Sequence, residues 1–108
     1  MSAIFDGITY SGPADISGSD IPSEPGVYLI VTDSAGAQKI LGVYGSDDMR
    51  RSIADNPKRA CWEKNKDSGL GAYYTVIGDA SERDRLVRRT VDVRCYKVMC
   101  YDPPTDDF

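Results

Sequence analysis

The stretch PGVYLIVTDSAGAQKILGVYGSDDMRRSI, from Pro25 to Ile53, constrains the fold more than any other part of the chain. In Val27–Thr32 successive side chains point to opposite faces, so Val27, Leu29 and Val31 share one face and Tyr28, Ile30 and Thr32 the other. This β-branched and aromatic run suits a pleated, half-buried strand. Asp33-Ser34-Ala35-Gly36-Ala37 is turn chemistry, with Gly36 able to take positive φ, and Lys39–Tyr44 reads as the return strand of a hairpin. Ser46 is a candidate helix cap, with Asp47 and Asp48 at the positive end of the dipole and Met49 and Ile53 as the apolar stripe.

Past this stretch, Asn56-Pro57 ends the first helix near Asp55 and can restart a second, over Pro57–Lys66, that buries Cys61 and Trp62. A loop with Gly69 and Gly71 leads to a strand over Ala72–Ile77, with Tyr73, Thr75 and Ile77 on one face and Tyr74 and Val76 on the other, so that one of the two tyrosines is core and one surface. Asp79 and Glu82 form a capping-box-like start for a third helix, which buries Leu86, Val87, Thr90 and Val91. The segment from Val91 to Tyr101 fits either a continuing helix or a fourth strand. Residues 1–24 read as loop with one short edge strand at Ile8-Thr9-Tyr10, and Ile4 and Phe5 are expected to pin the terminus. Residues 25–101 form the domain proper and 102–108 an acidic tail. The order strand, strand, helix, helix, strand, helix predicts an α+β fold: a small antiparallel sheet of three or four strands with flanking helices.

Composition excludes several classes. No apolar run approaches the roughly 20 residues that span a bilayer, and the first residues lack the basic and apolar regions of a signal peptide. A cytoplasmic location without membrane contact is the resulting expectation. There is no His, and Cys61, Cys95 and Cys100 lack metal-ligand spacing, so free thiols in a reducing compartment are expected and a metal site is not. The net charge is −4, yet residues 50–66 and 83–97 each carry six basic against two acidic side chains. If Arg50, Arg51, Lys58, Arg59, Arg88 and Arg89 converge, they form a patch able to meet the phosphates of DNA or RNA. If they do not, these are the solvated faces of amphipathic helices.

The sequence Pro25-Gly26-Val27-Tyr28, the turn with Asp33 and Gly36, the second strand and the helix with Arg50 and Arg51 follow in an order that resembles the GIY-YIG nuclease superfamily. The resemblance spans roughly Ile21 to Tyr96. It implies a GIY-YIG-like fold and phosphodiester cleavage with one divalent metal, Mg²⁺ or Mn²⁺, held by a Glu on a later helix. It also implies two tyrosines around the attacking water and an Arg that steadies the phosphate. Tyr28 matches the first tyrosine. At the second, Val43 or Gly42 stands instead, with Tyr44 beside it, and Ile53 or Ser52 stands at the arginine position, with Arg51 the nearest candidate. Arg88 or Arg89 falls near the metal-binding Glu, where a guanidinium would repel a cation. The candidate catalytic residues are therefore Tyr28, Tyr44 and Arg51, with no cofactor unless Glu82 or Asp84 replaces the lost ligand. What the resemblance leaves is a degenerate domain kept for contact with a protein partner, with nucleic-acid binding or a relocated metal site as alternatives.

Overall fold

Gly26 to Ser46 forms the hairpin at the centre of the sheet. The computed structural model describes residues 2–34, 36–94 and 100. Strands β1 (Ser2–Phe5), β2 (Ile8–Ala14), β3 (Gly26–Ser34), β4 (Ala37–Ser46) and β5 (Gly71–Val76) form one antiparallel sheet in the order β1-β2-β5-β3-β4. Helices α1 (Met49–Ala54), α2 (Arg59–Asn65) and α3 (Ala80–Arg94) complete the α+β fold. No helix among the described residues is long and apolar enough to cross a membrane.

The alternation read from β3 holds, and it divides the core in two. Val27, Leu29 and Val31 pack with Phe5, Tyr10, Val43 and Tyr73 beneath Val87 of α3. Tyr28 and Ile30 pack with Leu41 and Ala72 beneath Met49 and Ile53 of α1 and Trp62 of α2. So α3 covers one face of the sheet and α1 and α2 cover the other. Gly36 takes the expected positive φ of 82°. The return strand breaks its alternation once: Ile30 pairs with Gly42 but Val31 with Ile40, which leaves Leu41 as the extra residue of a β-bulge.

The N-terminal segment departs from expectation. Instead of loop with a short edge strand at 8–10, it forms a hairpin whose second strand lies inside the sheet against β5. Asp6 and Gly7 both have positive φ, 53° and 84°, the conformation a two-residue hairpin turn requires. Phe5 is buried as expected, but Ile4 points the other way and is 71% exposed. This hairpin is why the sheet has five strands rather than three or four.

Two helix starts also shift. Ser46 is still paired with Gly26 in the sheet, so the cap of α1 passes to Asp48, whose Oδ1 accepts the Arg51 N–H at 3.2 Å. The Ser23 hydroxyl donates to the same oxygen at 2.8 Å, and these two bonds hold the Asp48 carboxyl below its ordinary range. Helix α2 begins two residues later than expected because the Asn56 side chain first closes a turn on the Lys58 N–H, at 2.8 Å. For α3, Asp79 caps as anticipated, through Ser81 N and Glu82 N at 2.8 and 3.2 Å. Of the two readings at 91–101, the helix holds through Arg94; residues 95–99 and 101–108, the tail included, lie outside the described residues.

Candidate functional site

The hairpin register places Tyr28 directly opposite Tyr44, and both rings turn toward α1 and α2, with centroids 5.4 Å apart. Neither phenol points at solvent. The Tyr28 hydroxyl shares a hydrogen bond with Ser52 Oγ at 2.8 Å and accepts one from Asn56 Nδ2 at 2.8 Å. Tyr44 accepts a bond from Trp62 Nε1 at 3.0 Å and donates to the Cys100 carbonyl. Trp62 packs against the Tyr44 ring at 5.8 Å. The Asn56-Pro57 break explains the geometry at Tyr28. It stops α1 at the turn where Asn56, a buried residue, can reach the phenol with its amide N–H while its carbonyl holds Lys58.

Sequence reasoning missed Ser52, Asn56 and Trp62 as partners of the two tyrosines. A signal was present: Met49, Ser52, Ile53 and Asn56 recur at the spacing of one helix face, and the face that buries Met49 and Ile53 must carry Ser52 inward as well.

Outside this network lies an open groove lined by Asp47, Asp48, Arg51, Ser52, Asp55 and Asn56. Ser52 and Asn56 line the groove and also bond the phenol of Tyr28, so they stand where an exposed tyrosine would have to be. Arg51 is exposed on the groove's rim, and its own N–H caps onto Asp48.

The six basic candidates do not share a surface. Arg50, Arg51, Lys58 and Arg59 belong to the α1–α2 side, whereas Arg88 and Arg89 are on α3, across the sheet. Two of the first group are tied to backbone. Arg50 Nε donates to the Ile21 carbonyl at 2.7 Å. Arg59 Nη1 donates to Ile16 and Ile53 carbonyls at 2.9 and 2.7 Å, with its guanidinium 5.5 Å from the Trp62 ring. Together they fasten the loop before β3 to the helices. Arg88 pairs with Asp84 at 3.2 Å.

A divalent metal does not fit this arrangement. The position implied for its ligand falls on α3, and so do Glu82 and Asp84; all are separated from Tyr28 by the sheet. Among the described residues, no group of three or more His, Cys, Asp or Glu side chains could hold a metal ion. The chain matches no protein-family model, no curated protein and no solved structure.

The cysteines correct a sequence expectation. Cys61 and Cys100 are joined by a disulfide, across 39 residues, rather than standing as free thiols. Their spacing carries no motif; Cys100 stands at β4, where its N–H donates to the Leu41 carbonyl at 2.7 Å. Cys95 lies outside the described residues.

Burial also sets how the tyrosines titrate. It pushes the phenol of Tyr28 upward, with the bonds to Ser52 and Asn56 opposing, and it pushes Tyr10 up to about 12, with a bond to Thr90 opposing. Such phenols are neutral at neutral pH and do not serve as bases there. In the unfolded chain they ionise near pH 10. The folded state therefore keeps protons that the unfolded state releases, so stability that is complete below pH 10 is expected to fall between about pH 10 and 12. Urea midpoints measured at pH 8, 10 and 11 should show this decline, and Tyr10→Phe should flatten it; an unchanged slope in the variant would refute the assignment.

Proposed function

We propose that this chain is a degenerate GIY-YIG-like domain that acts as a non-catalytic accessory module, through contact with a protein partner. One observation carries the reading: both candidate tyrosines have their hydroxyls engaged within the fold, the buried Tyr28 by Ser52 and Asn56 and the half-buried Tyr44 by Trp62 and Cys100. A phenol that must orient a water for attack on phosphorus has to reach the substrate, and these two brace a hairpin against two short helices instead. The order β3, turn, β4, α1 is the order the resemblance calls for, which supports common ancestry without retained chemistry. Contact with protein rather than phosphate is favoured by charge and surface together. The basic segments lie on opposite sides of the sheet, and the exposed large hydrophobics, Ile4 and Val76, alternate onto the same sheet face. The cytoplasm is the location consistent with this role.

Incubation of the full chain with supercoiled plasmid and Mg²⁺ or Mn²⁺ tests the reading. The expected result is no nicking above an Arg51→Ala control. Cleavage that Arg51→Ala abolishes would restore the enzyme. Titration of a fluorescent DNA duplex provides the second arm: at physiological salt no binding is expected. Tight binding that weakens steeply with salt and is lost in an Arg51→Ala, Arg88→Ala double variant would favour a nucleic-acid-binding domain.

A further inference from the structure

Cys100 is bound to the rest of the molecule by three different bonds. Its sulfur is joined to Cys61 of α2, its N–H donates to the Leu41 carbonyl on the outer edge of β4, and its carbonyl accepts the Tyr44 hydroxyl. The two residues are unequally placed, since Cys61 is half-buried and Cys100 only 1% exposed. A third group faces the bridge. The side-chain amide of Asn65, one turn beyond Cys61, donates to the Cys61 carbonyl at 2.9 Å and lies 3.4 Å from Cys61 Sγ and 3.9 Å from Cys100 Sγ. An amide N–H aimed at a disulfide does little for the neutral bridge. It favours a thiolate once the bridge opens, because a donor stabilises the charged sulfur.

We propose that Cys61–Cys100 is a redox-operated clamp: a small-molecule thiol opens it, Cys100 leaves the edge of β4, and the five-stranded sheet stays folded. The thiolate of the first reductant molecule attacks Sγ of Cys61, the more exposed of the two residues. The S–S bond breaks, a mixed disulfide forms on Cys61, and Cys100 departs as a thiolate beside the Asn65 amide before taking a proton from water. A second reductant thiolate then attacks the external sulfur of the mixed disulfide and releases Cys61, which is protonated in turn. Two electrons pass to the bridge, and two reductant thiols leave as one disulfide. Opening leaves the Leu41 carbonyl and the Tyr44 hydroxyl without their Cys100 partners, so an edge that was closed becomes able to pair with an incoming strand. The pairings of β3 with β4 and β5 do not pass through the bridge, whereas Cys100 packs in the same cluster as Met49, Ile53 and Trp62. The clamp is independent of the accessory-domain reading, and it makes a disulfide compatible with a reducing compartment, where such bridges are transient or redox-sensing.

The full chain is equilibrated in glutathione buffers of stepped thiol-to-disulfide ratio, quenched by alkylation and mapped by peptide mass, with hydrogen exchange on the same samples. The expected result is reversible labelling of Cys61 and Cys100. On reduction, the peptide containing the Cys100 amide should lose protection while peptides of β3 and β5 keep theirs. Cys61→Ser should show the same exchange pattern without reductant. Asn65→Ala should slow opening roughly two- to threefold, as a higher pKa on the departing thiol requires. A bridge that stays closed at every ratio, exchange lost throughout β3 and β5 on reduction, or an opening rate unchanged in Asn65→Ala would each overturn the proposal.

Discussion

Replacing Trp62 by Ala is expected to lower the unfolding free energy by about 3–5 kcal/mol, in the range of large-to-small substitutions of buried aromatics. Trp62 is fully buried and is the one buried residue of α2. That helix has seven residues, and no side chain caps its first turn. A helix so short does not persist in water by itself; its docking to the sheet rests on the indole together with the Cys61–Cys100 bridge. The side chain fills space beside Tyr44, supplies the N–H that the Tyr44 hydroxyl accepts, and lies beneath the guanidinium of Arg59. The alanine variant loses all three, and the Arg59 bonds to Ile16 and Ile53 lose part of their support. Trp62→Phe should separate the contributions. It keeps most of the packing and removes the N–H, so a cost nearer 1–2 kcal/mol is expected from one lost bond and the volume difference. Denaturant titration of both variants measures the two costs. If alanine at this position costs less than about 1 kcal/mol, α2 is held by something other than its tryptophan.

What could be read ahead of the structure was what the backbone decides locally. The alternation of Val27–Thr32 fixed which residues face which side, and the turn with Gly36 fixed Tyr28 opposite the return strand. Continuing the register of the turn, in which Thr32 pairs with Lys39 and Val31 with Ile40, would place Val43 opposite Tyr28; Tyr44 comes opposite Tyr28 only through the bulge. The bulge at Leu41 did not follow, since Ile40-Leu41-Gly42-Val43 is apolar or small throughout and any register leaves it acceptable. The N-terminal hairpin carried a legible turn, Asp6-Gly7, between Ile4-Phe5 and Ile8-Thr9-Tyr10. It was obscured by Ser11-Gly12-Pro13, poor strand formers that run into an irregularity in the pairing of β2 with β5, between Ser11 and Ala14. The sheet face chosen by α3 had no local sign at all. An amphipathic helix says that one side is buried and not against which layer, and for that reason two basic segments that looked alike in sequence came to rest on opposite sides. The Cys61–Cys100 pairing is of the same kind, because it depends on where the chain goes after α3 and on nothing near either cysteine.

The second large effect belongs to a residue with no side chain. A Cβ built at Gly42 would lie 2.6 Å from Cζ of Tyr44, inside the distance at which a neighbour must move. The bulge turns position 42 toward the α1–α2 side, and the Tyr44 ring lies back over it. Tyr44 has little freedom to swing away, being held at its hydroxyl by Trp62 and by the Cys100 carbonyl. Gly42→Ala is therefore expected to cost about 2–3 kcal/mol, as overpacking against a fixed neighbour does. A double-mutant cycle isolates the cause. Gly42 does not sit at positive φ, so alanine is conformationally allowed there. In a Tyr44→Ala background the same substitution should cost nothing, and could stabilise by about 0.5 kcal/mol by restricting the unfolded chain. The coupling between the two positions should thus equal nearly the whole cost of Gly42→Ala. Equal costs in both backgrounds would mean that the Tyr44 ring is not held over Gly42. Its phenol would then be free to turn outward, and the case against a working tyrosine at that position would fail with it.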